Sequence, residues 1–187
     1  MLIQAVDNAK LDQTLVTQAD FRPLPTWDNR QAWATLDVKS KTFYMETADA
    51  LRGYAWPSLP AARYMDFARN GNRTQYETLY FQRRDALFAL TLAECITGSH
   101  QYLDDIINGI WCVCEESTWV LPAHNNPFSS HHRADLNALA DIASRPHIDL
   151  FVAETASLLA WVFYLLKSQL NQESPIIAKR ITEEIQR

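Results

Sequence analysis

The sequence is short of glycine, short of cysteine and without a cluster of basic residues, and each shortage argues against a class of protein. Only four glycines occur in 187 residues. Strand-rich domains spend glycine on tight turns, so the shortage favours helices. Three cysteines, Cys95, Cys112 and Cys114, are an odd number. All three sit in apolar, helix-like stretches and read as buried thiols in a reducing compartment. Cys112 and Cys114 stand two apart, and positions i and i+2 of a helix do not face each other, which argues against a shared metal or disulfide. The net charge is −5 and the pI about 5.5, with no Lys/Arg cluster. That argues against a nucleic-acid binder, which shows a basic face. A local basic patch can still hold an acidic sugar polymer. No Gly-rich phosphate loop and no Ser-x-Gly elbow occur, so nothing supports a nucleotide-binding loop or a serine hydrolase. The opening residues from Met1 carry no basic stretch ahead of an apolar run. No secretory signal is therefore expected, and the chain as given is assigned to the cytoplasm; an extracytoplasmic protein would have lost its leader.

What is present is an ordinary globular balance, 48% hydrophobic and 21% charged, in a chain long enough for one real core. Residues 1–25 read as an irregular lead-in closed by Pro23 and Pro25, and residues 26–187 as one helical domain. Asp28 is expected to cap a helix from Arg30 to Arg52, broken near Lys39 and ended by Gly53. Further helices are expected over Ala61–Arg69, Tyr76–Thr97 and His100–Glu116, stopped at Gly71 and Gly98. Leu79, Arg83, Leu87, Leu90 and Glu94 step along one side of the long one. Short connections between these helices imply antiparallel neighbours. Ser117–Pro146 is polar, proline-bearing and rich in histidine, with a short helix expected near Asp135–Ala143. Asp149–Lys167 is apolar nearly all round and reads as a helix buried on most sides. Its uncharged run after Glu154 is about 12 residues, too short to span a bilayer. Pro175 opens a last helix, Ile176–Ile185, that reaches Arg187 without a stop signal, as in a chain cut from a longer one.

Four stretches carry a resemblance. They are Tyr64–Arg73, Leu103–Trp111, Glu115–Asn125 and Asp149–Thr155. The most specific is the block Trp119-Val120-Leu121-Pro122-Ala123-His124-Asn125. Together these stretches resemble the N-terminal helical domain of heparinase II/III-like proteins, over about Gly53 to Leu166. The resemblance implies an all-α fold, a partial α/α toroid of antiparallel helical hairpins, which in the family is followed by a β-sandwich. It implies a polysaccharide lyase that cuts acidic polysaccharides at uronic acids by β-elimination. No cofactor and no metal are expected. In that chemistry a donor neutralises the uronate carboxylate, a base takes the C5 proton and an acid protonates the leaving oxygen. His124 and Asn125 match the family's His/Asn position. Asn125 is the choice for neutralising the carboxylate, since its amide donates without titrating. His124 shares that role or acts as base. Glu154, on the helix that follows, is placed to orient His124 or contact sugar, and Trp119 and Trp111 to stack on sugar rings. The family's catalytic Tyr and second His would lie beyond Arg187, and the family's toroid is longer. The chain is therefore expected to hold part of an enzyme, and to self-associate through an apolar face at Leu158, Trp161 and Leu165.

Other readings stand beside this one. His124 and Asn125 are also common turn residues. Trp111, Trp119 and Trp161 have the spacing of core aromatics, and Glu154 could pair with Arg133 or Arg145. His131 and His132, with His124 and His147, fit no helical zinc motif. A non-catalytic glycan- or partner-binding helical module is the main alternative. An α/α-toroid glycoside hydrolase would need two carboxylates in one cleft, and Glu115, Glu116 and Glu154 are the set on offer.

Overall fold

The computed structural model describes residues 14–17, 20–125, 139 and 148–186. Among the described residues the protein is all-helical, with no strand. The helices are α1 (Arg30–Ala34), α2 (Val38–Asp49), α3 (Ala61–Asn70), α4 (Thr74–Thr97), α5 (Leu103–Cys114), α6 (Leu150–Glu173) and α7 (Pro175–Gln186). Among the described residues a 3-10 turn, Pro122–His124, lies between α5 and α6. The short helix expected near Asp135–Ala143 lies outside the described residues, apart from Leu139.

Caps decide where these helices start. The break expected near Lys39 falls just ahead of it, between α1 and α2, because Asp37 takes an extended backbone and caps α2. Its carboxylate accepts the Ser40 backbone N–H at 3.0 Å and the Ser40 hydroxyl at 2.6 Å. Asp28 is not the cap of α1. Asn29 is, with its side-chain oxygen 3.1 Å from the Ala32 nitrogen. Asp28 faces α6 instead and accepts the Ser168 hydroxyl at 2.8 Å. Gly98 ends α4 in the left-handed region, at φ +61°. There a Cβ would run into the Arg30 guanidinium.

Helix α4 is the hub, packing against α1, α2, α3, α5 and α6. Its Leu87, Leu90 and Ala93 are wholly buried against Ile106, Ile110 and Val113 of α5 and Leu159, Val162 and Leu166 of α6. Each of the leucine, isoleucine and valine side chains contributes about 1.5–3 kcal/mol on burial. Helix α7 closes the core with Ile177 and Ile181 and packs on α5 and α6.

Two charged groups tie the segment before α1 into this core. Glu94 is fully buried on α4 and accepts three N–H groups: the Trp27 indole at 2.9 Å, the His100 backbone at 2.9 Å and the Tyr102 backbone at 3.3 Å. The last two lie just ahead of α5, where orphan donors favour an anion. At the other end of the same contact, Arg30 donates to the carbonyls of Cys95 and Ile96, both at 2.8 Å. Those carbonyls belong to the last turn of α4, so a cation there completes the helix end.

Helix α6 differs from expectation in length and in burial. It continues past Lys167 to Glu173. By length and composition it is long and apolar enough to cross a membrane. Its buried residues form one side, Thr155, Leu159, Val162, Leu165, Leu166, Gln169 and Leu170, packed against α4 and α7. Leu150, Glu154 and Trp161 are exposed. The run is apolar nearly all round, so hydrophobicity alone does not mark which side faces inward.

Candidate functional site

The site is built where the 3-10 turn meets the start of α6. Pro122 is pre-set for the first position of the turn, and the His124 backbone N–H closes it on the Leu121 carbonyl at 2.9 Å. Leu121 is fully buried among Tyr64, Tyr76 and Tyr80. The Tyr64 hydroxyl donates to the Val120 carbonyl at 3.1 Å, and the Tyr80 hydroxyl donates to the Trp119 carbonyl at 3.1 Å. Two tyrosines thus hold by hydrogen bonds the backbone that presents His124 and Asn125, and Tyr76 packs beside them. Burial pushes the Tyr64 phenol well above its ordinary pKa, so it stays a neutral donor.

His124 Nδ1 lies 2.7 Å from Asp149 Oδ2. The Asp149 side chain is 7% exposed and that of His124 33%. A carboxylate only accepts, so Nδ1 carries the hydrogen and Nε2 is the ring nitrogen that remains for chemistry. Asp149 has a second duty. It caps α6, with Oδ1 accepting the Val152 N–H at 2.8 Å. The helix start therefore fixes the carboxylate, and the carboxylate fixes the imidazole. Phe151 packs beside the ring, centroid to centroid 5.1 Å.

Asn125 follows at the end of the 3-10 turn and is half-buried. Glu154 does not join this group: it is exposed on α6, one turn beyond Asp149. The orienting carboxylate is Asp149, which sequence reasoning passed over as a helix start. Its signal was available, since an Asp just ahead of an apolar run is a cap, and a cap lies at a fixed place. Trp119 is 7% exposed, and its indole N–H donates to the Val113 carbonyl at 3.1 Å, which ties the turn to α5. Trp111 is 37% exposed on α5. Trp161 is open to the same degree, whereas Leu165 is buried and Leu158 half-buried, so only part of the expected apolar face is open.

A second polar cluster lies across the tyrosines. The Glu116 carboxylate accepts Arg83 Nη1 at 3.0 Å, Arg84 Nη1 at 3.0 Å and Arg84 Nη2 at 2.7 Å. All three side chains are buried. Arg84 also reaches the Thr155 hydroxyl on α6 at 2.9 Å and stacks over the Tyr80 ring, 3.2 Å from its centroid. Glu116 is thereby committed to two guanidiniums, and Glu115 beside it is exposed. Among the described residues no group of three His, Cys, Asp or Glu is placed to hold a metal ion. His131, His132 and His147, like Arg133 and Arg145, lie outside them. Comparison with known protein families gives no matching family, and comparison with curated proteins gives no match.

Proposed function

We propose that the chain is the N-terminal helical part of a heparinase II/III-like polysaccharide lyase, a partial α/α toroid of antiparallel hairpins that binds an acidic polysaccharide and contributes to β-elimination at uronic acids. The observation that carries this reading is the bond between His124 and Asp149. It joins two of the stretches on which the resemblance rests, Glu115–Asn125 and Asp149–Thr155, which are apart in sequence. In this reading His124 Nε2 takes the C5 proton, with Asp149 stabilising the imidazolium that forms. Asn125 donates its amide to the uronate carboxylate, where charge builds in the carbanion-like state. Trp111 offers an exposed ring for stacking on sugar. The experiment is ultraviolet detection of the unsaturated uronate product with a panel of uronic-acid polysaccharides. His124→Ala is expected to lower kcat by about 10²–10⁴-fold, the range for losing a general base. A variant that keeps full turnover contradicts the assignment.

The second reading is a helical module that binds glycan or a partner without turnover. The exposed Trp111 and Trp161 rings favour it. Polysaccharide binding that is lost in Trp111→Ala, with no unsaturated product from any polymer, would select it.

A further inference from the structure

A cavity of about 470 Å³ opens between the start of α3, the first half of α4 and the end of α5. That volume suits a small molecule. Neither His124 nor Asn125 lines it; Tyr76, Arg83, Glu115, Ser117 and Thr118 do. Two guanidiniums share the Glu116 carboxylate at its inner wall, so this buried trio keeps one positive charge in excess. A buried charge of this kind calls for a counter-charge. Arg83 donates Nε to the Pro57 carbonyl at 2.7 Å, and Nη1 to Glu116 and to the Cys112 carbonyl. Its Nη2 makes no hydrogen bond to the described residues, and the side chain is 9% exposed. The Tyr76 hydroxyl likewise has no such partner, and burial holds it protonated, with its pKa far above the ordinary value. A guanidinium edge and a neutral hydroxyl donor together suit a carboxylate.

The rest of the wall narrows the class. Glu115 brings a carboxylate that repels a second negative charge and accepts hydroxyls. Ser117 and Thr118 add hydroxyl groups, while Leu59 and Leu139 give apolar surface for the C–H face of a ring. We propose that this cavity binds a small hydroxylated monocarboxylate, the chemistry of a sugar acid, through Arg83 and Tyr76. The inference stands apart from the lyase reading, because a free sugar acid has no glycosidic bond to break.

The test is calorimetric titration of the protein with glucuronate, glucose and inorganic phosphate. Glucuronate binds, and glucose binds at least about tenfold more weakly, the worth of one charge-assisted hydrogen bond. Tyr76→Phe, which keeps the ring packing, weakens glucuronate by about three- to tenfold. Arg83→Lys, checked for helix content by circular dichroism, weakens it by about tenfold or more. No glucuronate binding, equal binding of glucose, tighter binding of phosphate, or a Tyr76→Phe affinity equal to wild type would each overturn the proposal.

Discussion

Replacing Glu116 with glutamine keeps its shape and removes its charge, which isolates what the buried ion cluster contributes. The Glu116 side chain is 2% exposed and accepts three guanidinium N–H bonds at 2.7–3.0 Å. Glutamine has one oxygen for those donors and turns an NH₂ toward a guanidinium, donor against donor. Arg83 and Arg84 would then be two buried cations with no carboxylate between them. Breaking a buried pair in this way costs about 3–5 kcal/mol. The whole stability of a domain is of the order of 5–15 kcal/mol, so the loss is a large share of it. In thermal unfolding it corresponds to a drop of roughly 6–20 °C for a chain of this size. Exposed Glu115 serves as the control, and Glu115→Gln should stay within about 0.5 kcal/mol of wild type. Urea and thermal unfolding of both variants measure this. A Glu116→Gln protein within about 1 kcal/mol of wild type would refute the argument that the cluster binds α4, α6 and the end of α5 into one unit.

Gly109→Ala sets two effects in opposition. Alanine in a helix interior gains about 1 kcal/mol over glycine. The new Cβ, however, would sit 2.6 Å from Trp56 Cζ2 and 3.2 Å from Leu87 Cδ1, and overpacking costs about 1–3 kcal/mol. A net loss of about 1 kcal/mol is expected in urea unfolding, and a net gain would show that Trp56 moves freely. Burial raises the Cys95 thiol to about 12 and the Cys114 thiol to about 11. At pH 8 both are protonated and enclosed, so half-buried Cys112 should react first with a thiol reagent, as peptide mapping would show. The Tyr102 hydroxyl, 2.7 Å from Asp49 Oδ1, is the largest cause of a lowered Asp49 pKa, with Arg52 second. A depressed carboxylate pKa stabilises the fold above its unfolded value of about 3.9 and stops doing so as pH falls through the folded value. Tyr102→Phe should therefore be less stable than wild type at pH 6, with the gap narrowing below about pH 4. A gap that stays constant with pH would assign the loss to packing alone.

The parts of the fold that were readable in advance are those with a local signal. Helices α3, α4 and α5 start and stop within a few residues of expectation, because a 3.6-residue pattern runs into Gly71 and Gly98. The line from Arg83 to Glu94 along α4 is buried as its spacing implies. Capping was harder. Asp28 and Asn29 are both good caps by type, and only the backbone geometry at Asn29 and the pull of Ser168 on Asp28 decide between them. Helix α6 shows no readable face, because it is apolar nearly all round, so nothing in its pattern places Glu154 on the side that faces solvent. The polar clusters were out of reach for another reason. Glu116 meets Arg84 across 32 positions and His124 meets Asp149 across 25. No local pattern links residues so far apart, because their meeting depends on how α4, the 3-10 turn and α6 pack together.

The most direct measurement is the ultraviolet absorbance of unsaturated uronate, followed on a panel of acidic polysaccharides with the whole product of the gene that encodes this chain. The account predicts that at least one uronic-acid polymer yields product, and that the double substitution His124→Ala/Asn125→Ala abolishes it while the protein stays folded. No product from any uronic-acid polymer, or product formed equally well by the double variant, would contradict it.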